Sequence, residues 1–468
     1  MGLRFRKALS NWAFVSTLLT ACAAVILAFQ FDATYTVDVG GYYDRVYLRD
    51  FHRPEVGQGE DWFRWTEGAG TIRLPGLGAR GCWLSLRMQG WRPAEASPAR
   101  LSLLVNGHLL WRGGVGRDWQ EYRFWVAPGL VRGGTLRLTL QSDTFVPVEQ
   151  GVGGDNRTLG VAVTQVTVGT PRASFALGWP AFDQLGWVLL FAVALYLSLS
   201  SLLMSPRWAA IVSALASAGL GWALAARRLW TAIYTPRLAI VTALGLLLLP
   251  ALRWIFGRVF AWGQVAAEEK DLRLLLAVFL IGFLLKAGGL LYPFSVAIDL
   301  KWHLEKAQQV VQGGLADLYR PGALASWITP QGMGSGGESA IPYSPFYHIT
   351  AAAFFFLPWP PYATANVLSV LLDTTRCFLV YFLTCRLGLG RRTGLLAGLL
   401  YAAMPATFLL HSWGNVPTTT GLWWCLAATC YLIGGWERLG KVRTWAGLVF
   451  FLLGAMLYYS VTAVLGAS

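Results

Sequence analysis

Twenty consecutive residues without a charged side chain decide the fold of this chain: Leu185–Met204, which reads LGWVLLFAVALYLSLSSLLM. A transmembrane helix needs about 20 mostly apolar residues to cross the hydrocarbon core of a bilayer. Similar runs follow at Trp208–Ala226, Thr231–Leu252 and Leu272–Tyr292, and another precedes them at Trp12–Phe29. The sequence therefore predicts a polytopic α-helical membrane protein whose first 292 residues contain five spans.

The composition agrees with a chain that lies mostly in lipid. Hydrophobic residues make up 55% of the 468 residues and charged residues 13%, and the mean hydropathy is +0.48, whereas soluble domains are about 25% charged. The net charge of +14 comes from Lys and Arg in short segments beside apolar runs, as orientation signals do, so we expect no nucleic-acid partner. Cys82 is alone in the polar part of the chain, which excludes a disulfide framework. The other cysteines fall in apolar runs, at Cys22, Cys377, Cys385, Cys425 and Cys430.

Basic residues precede the first apolar run, at Arg4, Arg6 and Lys7, which favours a cytoplasmic N-terminus and export of the residues after this run. Two interpretations of residues 1–32 stay open. The length of the run favours an uncleaved transmembrane anchor, whereas the small residues around Ala21–Ala24 fit a cleaved signal peptide. Both interpretations place the next domain outside the cytoplasm.

Residues 33–172 alternate apolar and polar side chains, a pattern typical of half-buried β-strands. Asn106-Gly107 lies between two such segments and is a strong hairpin signal. Pro and Gly clusters mark other turns, so we expect an extracytoplasmic, jelly-roll-like β-sandwich of about eight strands. Its tryptophans either stack on sugar rings, as in carbohydrate-binding modules, or belong to the core or a membrane-facing surface. They include Trp62, Trp65, Trp111, Trp119 and Trp125.

The C-terminal half predicts four more spans, because one of its apolar runs is too short to cross. Phe346–Leu357 has twelve residues, about 18 Å of helix, and we interpret it as an interfacial helix on the outer face. The four spans are Ala363–Cys385, Thr393–Leu410, Thr418–Gly434 and Trp445–Leu465. The prediction is thus a nine-span plasma-membrane protein, with three helices and a cytoplasmic loop in residues 173–271 and a membrane core in residues 272–468.

This topology puts two loops on the outer face, Pro293–Pro361 and His411–Pro417, and most basic clusters inside. Three arginines fall outside, against the charge rule: Arg227, Arg228 and Arg237.

An amphipathic helix is predicted at the start of the first outer loop. Asp299, His303 and Lys306 share one stripe, and an apolar stripe that includes Leu300 and Ala307 lies beside it. The spacing puts Asp299 and His303 together at the membrane surface. A helix N-cap and a catalytic carboxylate both fit Asp299, and a ligand and a solvated polar side chain both fit His303.

The order of the motifs resembles the GT-C class of membrane glycosyltransferases, to which protein O-mannosyltransferases and the lipid A aminoarabinose transferase belong. The resemblance covers about residues 272–468, and Leu300 stands where the family usually has the second acid of an Asp-Glu pair. The family's membrane core is generally larger than the five spans in this part of the chain. The motifs are a span that ends near an acidic residue, Asp299-x-x-x-His303, Tyr343-Ser344-Pro345 before the short apolar helix, and Ala402-Ala403-Met404-Pro405.

The resemblance implies an inverting glycosyltransferase with Asp299 as its catalytic residue, a polyprenyl-phosphate-linked sugar in the membrane lipid as donor, and a glycan or protein as acceptor. The leaving phosphate requires a cation or a divalent metal ion. Lys301, His303 and Lys306 are candidates for the substrate or phosphate, and His303 or Glu305 for a metal. Further substrate-binding candidates are Tyr343, His411 and Asn415, although the loop from 411 to 415 also fits a polar turn.

Charged residues inside predicted spans leave other functions open. Asp373 and Arg376 have i, i+3 spacing, so they neutralise one another on a helix face, either structurally or in a transporter or flippase pathway. Lys286 is close enough to the end of its span to reach water along the surface. A non-catalytic protein is the other alternative, in which the β-domain binds glycan and the spans anchor or assemble.

Overall fold

The computed structural model describes residues 8–31, 34–57, 62–93, 96–169, 178–202, 204–295, 297–319 and 345–458. The chain forms two compact units. We call Arg6–Leu197 with Pro206–Ile240 the β-domain unit, because it contains every described strand. We call Met1–Phe5, Ser198–Ser205 and Val241–Ser468 the helical unit.

The β-domain consists of antiparallel strands, and the alternation in the sequence predicted them correctly. Along β6, Leu101, Leu103 and Val105 are buried, as the period of two requires. Asn106 and Gly107 both have positive φ, 50° and 86°, and join β6 to β7 in the predicted hairpin. The strands are β1 Thr34–Asp38, β2 Leu48–Phe51, β3 Glu55–Val56, β4 Trp62–Leu74, β5 Cys82–Gln89, β6 Ala99–Val105, β7 His108–Val115, β8 Gln120–Val126, β9 Leu136–Ser142 and β10 Ala162–Gly169.

The described strands form one continuous ten-stranded sheet, whereas the sequence predicted a sandwich of about eight strands. The long strand β4 causes the difference, because its first half pairs with β10 and its second half with β9. Gly68, with a φ of 103°, lies between the halves, where glycine permits a bend that other residues resist. The path β7-β6-β9-β4-β10-β5-β8 therefore curves round, with β1, β2 and β3 added at its sides.

Helices of the β-domain unit pack on one another below the strands. These are α1 Trp12–Ala28, α2 Phe182–Leu202, α3 Pro206–Ala226 and the first part of α4 Arg228–Trp262. Arg228 is buried and donates through Nη2 to the carbonyls of Ala28, at 2.7 Å, and Phe31, at 2.9 Å. These carbonyls follow the last turn of α1 and lack helical partners. Arg228 thus has a structural role. This role explains why an arginine occurs at a position where the charge rule does not expect one.

Among the residues that the structure describes, six helices are long and apolar enough to cross a membrane, which agrees with a membrane protein. They are α2, α3, α4, α5 Glu269–Leu290, α9 Pro361–Arg386 and the segment Arg391–Trp413. Two shorter apolar helices cover Trp12–Ala28 and Val442–Ala455. Each of the nine predicted runs lies largely on helix, but the count of nine spans stays a prediction.

The helical unit contains the amphipathic helix and the short apolar helix that the sequence predicts between spans. The amphipathic helix is α6 Ile298–Val311, and a short helix α7 Leu315–Leu318 follows it. The short apolar run forms α8 Pro345–Ala352 and a 3₁₀ turn at Ala353–Phe356.

One predicted span is not continuous. Thr393–Leu410 breaks into α10 Arg391–Ala403 and α11 Pro405–Trp413, with Pro405 at the first position of α11. Proline has no backbone N–H and cannot continue the hydrogen bonds of the preceding helix. The last two helices are α12 Val416–Gly434 and α13 Val442–Tyr458.

Aromatic side chains form much of the core of the helical unit. Phe256 of α4 stacks on Phe378 of α9, with ring centroids 4.2 Å apart and planes 8° from parallel. The rings of Phe260 and Tyr381 are 5.3 Å apart and tilted by 43°, so of these two pairs only Phe256–Phe378 is stacked. Offset stacking of this kind adds about 0.5–1.5 kcal/mol per pair beyond the burial of area, so it holds α9 in place beside α4.

Candidate functional site

Asp299 lies in the first turn of α6 and is half-buried. The N-cap of α6 is Ala297, which supplies no side-chain cap, so the interpretation of Asp299 as the cap is wrong. An acidic residue in a first turn is stabilised by the positive end of the helix dipole. Within the described part of the chain, the Asp299 carboxylate has no hydrogen bond or ion pair.

The segment His411–Pro417 packs directly against the start of α6. Gly414 has a φ of 80°, and a methyl group added there would lie 2.6 Å from both the backbone nitrogen and Cβ of Leu300. Val416 and Ala297 also belong to one buried cluster with Leu300. The structure therefore brings the loop from His411 to Asn415 beside the turn that carries Asp299.

His303 and Lys306 are buried, so the interpretation of their stripe as a solvated face is wrong. The helix α8 covers this face of α6. His303 Nδ1 lies 3.1 Å from His348 Nε2, and His348 Nδ1 lies 2.5 Å from the hydroxyl of Tyr319. Lys306 Nζ lies over the ring of Trp302, 5.7 Å from its centroid.

Burial keeps this buried histidine pair neutral. Desolvation, with a smaller effect of the neighbouring His348, lowers the pKa of His303 to about 3. Desolvation and then the charge of Lys306 lower the pKa of His348 to about 4. Desolvation also lowers the pKa of Lys306 and raises that of Tyr319. At neutral pH a neutral imidazole offers a leaving phosphate a hydrogen bond but no positive charge, so the phosphate-binding role of His303 stays a prediction.

The proposed metal ligands do not converge. Glu305 is partly exposed and pairs with Lys301, with Nζ 3.6 Å from Oε1, whereas His303 is on the buried face. In the parts of the chain that the structure describes, no group of three or more His, Cys, Asp and Glu side chains could hold a metal ion. His303 and Glu305 therefore do not form a metal site with each other, and Lys301 is the exposed cation nearest in sequence to Asp299.

A second carboxylate, Asp373, lies in a buried charged cluster. Its Oδ2 lies 2.5 Å from Lys286 Nζ and 3.2 Å from His411 Nε2, and its Oδ1 accepts from Tyr401 at 2.8 Å and Arg376 at 3.3 Å. The predicted Asp373–Arg376 pair is present, but it is part of a network that joins α5, α9, α10 and α11. The prediction that Lys286 reaches water is wrong, because its ammonium is buried.

The cluster belongs to a polar stripe along α9. Asn366, Ser369, Asp373 and Arg376 are all buried and have the i, i+3, i+7, i+10 spacing of one helix face. Ser369 Oγ lies 3.2 Å from His411 Nδ1. The stripe therefore continues from the Asp373 cluster towards the N-terminal end of α9.

The remaining candidates have different outcomes. Asn415 is the N-cap of α12, and its Oδ1 accepts from the Thr418 hydroxyl at 2.6 Å and the Thr418 backbone nitrogen at 3.4 Å. This is a structural role that fits the polar-turn interpretation. Tyr343 lies outside the described residues.

Sequence reasoning missed His348, Tyr319 and Tyr401. His348 was detectable, because a histidine within the apolar run Phe346–Leu357 needs a polar partner once buried. Tyr401 gave no comparable signal, since tyrosine is common in apolar helices.

No family model and no curated protein matches the chain. Its function must be inferred from the side chains described above.

Proposed function

We propose that this protein is a GT-C-like membrane glycosyltransferase that transfers a sugar from a polyprenyl-phosphate donor to a glycan or protein acceptor on the outer face of the plasma membrane. The observation that carries the proposal is the state of Asp299. Its carboxylate is half-buried and has no partner within the described residues, and the second outer loop packs on the same helical turn. A carboxylate held this way is available to a substrate.

The topology that we propose has nine spans, a cytoplasmic N-terminus, and the β-domain and residues 293–361 outside. Nine apolar segments that are largely helical support it. We also propose a jelly roll for the β-domain. One layer contains the first half of β4, then β10, β5 and β8, and the other contains the second half of β4, then β9, β6 and β7. Two four-stranded layers with this order are typical of jelly rolls.

The reaction requires one base and stabilisation of the leaving phosphate. In the proposed step, Asp299 accepts the proton of the acceptor hydroxyl while the acceptor oxygen bonds to the anomeric carbon. The bond from that carbon to the phosphate oxygen breaks, the anomeric configuration inverts, and the polyprenyl phosphate leaves with the electron pair. In the proposed step the leaving phosphate is stabilised by the backbone N–H groups in the first turn of α6, which has no side-chain cap, and by the exposed Lys301, which exchanges Glu305 for the phosphate.

The test is transfer of radiolabelled sugar from polyprenyl phosphate in membranes that contain the parent chain, Asp299→Asn or Glu149→Gln. Asp299→Asn removes the base while it preserves side-chain size, so incorporation should fall at least about a hundredfold. Glu149 is an exposed carboxylate of the β-domain, and its variant should match the parent. Equal incorporation by Asp299→Asn and the parent removes Asp299 from the mechanism.

Cysteine labelling tests the topology separately. In a background without the native cysteines, Ser335→Cys should react with a membrane-impermeant maleimide from outside, and Gly390→Cys should react only after the membrane is opened. The opposite pattern contradicts an outward-facing site.

The polar stripe of α9 favours a second candidate function, transport of a polar or lipid-linked substrate. Buried polar groups in a membrane helix are costly and commonly line substrate paths. Asp373 and Arg376 would then face the substrate, as in transporters with charged groups near the middle of the bilayer. Reconstituted vesicles with a fluorescent polyprenyl phosphate test this candidate, because transport makes label from the inner leaflet accessible to external dithionite. No acceleration over empty vesicles excludes it.

A further inference from the structure

Two neighbouring tryptophans project from the solvent-exposed face of the sheet in the β-domain. Trp83 of β5 and Trp125 of β8 lie directly opposite in the strand register, with ring centroids 5.2 Å apart and planes at 60°. They remain 54% and 43% exposed, whereas Leu84, next to Trp83, points into the core. These indoles therefore add little to the core, and two adjacent exposed indoles commonly mark a binding surface.

A depression of about 470 Å³ lies beside the pair. Gly169 of β10 is the register partner of Trp83 and has no side chain, so the space next to Trp83 stays open. The depression is lined by Trp83, Ser85, Glu121, Arg123, Thr167 and Gly169, together with Leu84.

The polar groups of the depression are held in fixed orientations. Arg123 donates to Glu121 twice, from Nε at 3.0 Å and Nη2 at 2.9 Å, and the Ser85 hydroxyl donates to Glu121 Oε1 at 2.5 Å. Arg123 and Glu121 are nevertheless exposed, with 70% and 47% of their side chains accessible. Each keeps further donor or acceptor capacity towards solvent, because a guanidinium has five N–H groups and a carboxylate about four lone-pair sites.

We propose that this face binds a pyranose unit of a neutral glycan outside the cytoplasm. The apolar C–H face of the ring packs on the indoles of Trp83 and Trp125, and its hydroxyls bond to Glu121, Arg123 and Ser85. A neutral sugar fits best because the charges of Glu121 and Arg123 cancel within the site. The inference depends on export of the β-domain but not on the transfer reaction, so either can fail without the other.

Lipid contact is the alternative explanation of exposed tryptophans, since indoles collect at membrane interfaces. The rest of the face argues against it. Trp83, Ser85 and Arg87 alternate outward along β5, and Glu121, Arg123 and Trp125 along β8. Four of these six side chains are polar or charged, whereas a strand face in contact with acyl chains is apolar throughout.

The test is calorimetric titration of the full chain in nanodiscs with three neutral oligosaccharides: cellohexaose, maltohexaose and α-1,6-mannohexaose. At least one should bind, and Trp83→Ala or Trp125→Ala should weaken its affinity about tenfold, which corresponds to the loss of roughly 1.4 kcal/mol of stacking. Trp62→Ala is the matched control, because Trp62 is 47% exposed but lies on β4, which pairs with neither β5 nor β8, and it should leave affinity unchanged.

A failure of all three hexaoses to bind the parent overturns the proposal. So does an equal loss of affinity in Trp62→Ala, because the effect is then not local to the depression. Nanodiscs with brominated lipid test the alternative, since bromine quenches the fluorescence of indoles that touch lipid. A smaller loss of fluorescence to bromine in the Trp83→Ala, Trp125→Ala double variant than in the parent assigns the face to lipid and also overturns the proposal. Circular dichroism confirms that each variant keeps its fold.

Discussion

Replacement of Asp373 by Asn tests how strongly the buried charged cluster holds the helical unit together. The change keeps the shape of the side chain but removes its negative charge. Lys286 and Arg376 then remain buried as cations without their carboxylate, at sites where both side chains are almost inaccessible to water. Their solvation cannot be recovered unless the helices separate.

The expected loss in the free energy of unfolding is large because Lys286 and Arg376 are both buried. Removal of one member of a buried ion pair costs roughly 3–5 kcal/mol, which lowers the unfolding midpoint of a unit of this size by about 10 °C. An exposed pair offers the contrast. Arg386 and Glu437 lie 2.6 Å apart, but Glu437 is 60% exposed, and such pairs contribute at most about 1 kcal/mol. Glu437→Gln should therefore shift the midpoint by only a degree or two.

The assay is thermal unfolding of purified protein in one detergent, followed by intrinsic fluorescence. A double-variant cycle with Lys286→Met adds a sharper criterion, because removal of the orphaned ammonium should recover part of the loss caused by Asp373→Asn. The coupling energy should reach about 1–3 kcal/mol. If Asp373→Asn shifts the midpoint no more than Glu437→Gln does, or if the two cluster variants are additive, the cluster does not stabilise the helical packing as the structure indicates.

Three further changes test other parts of the structure. The lowered pKa values of His303 and His348 mean that below pH 6.5 the unfolded chain binds more protons than the folded chain. The free energy of unfolding should therefore fall by about 2 kcal/mol per histidine between pH 7 and pH 5. Unfolding midpoints measured across this pH range should show the fall, and His348→Asn should make it smaller. Asn415→Ala removes the cap of α12 and should cost about 1 kcal/mol, and an unchanged midpoint contradicts that role. Gly414→Ala places a methyl group against Leu300 at a backbone position with positive φ. It should therefore abolish sugar transfer, whereas Asn415→Ala should leave measurable activity. Normal transfer by Gly414→Ala contradicts the packing of the loop on α6.

The sequence predicted helices and strands well where one physical cause dominates. A run of twenty apolar residues such as Leu185–Met204 is long enough to cross the bilayer, and inside lipid its backbone must form the hydrogen bonds of a helix. The position of α2 therefore follows from hydropathy. The hairpin at Asn106-Gly107 followed from two residues that tolerate positive φ. The break at Pro405 was missed because the apolar pattern continues through it, although the proline itself was a sufficient signal.

Side-chain environments were less predictable because they depend on which helix packs on which face. Lys286 lies in the next-to-last turn of α5, where a long side chain commonly reaches water. Thr407 and Phe408 of α11 instead enclose its ammonium, at 2.7 Å from the hydroxyl and 4.9 Å from the ring centroid. His303 became buried for the same reason, since a pattern along α6 cannot reveal that α8 covers the polar stripe.

The structure separates two carboxylates that look alike in the sequence. Asp299 and Asp373 both lie on helices of the membrane core, and either could be the functional acid by residue type and position alone. Asp373 already has four donors or cations around it, at 2.5 to 3.3 Å. To accept a proton from a substrate it would have to break those contacts inside a buried network. Asp299 has no competing partner within the described residues and is half-buried, so the proposed transfer reaction assigns the base to Asp299 and the packing of the helices to Asp373.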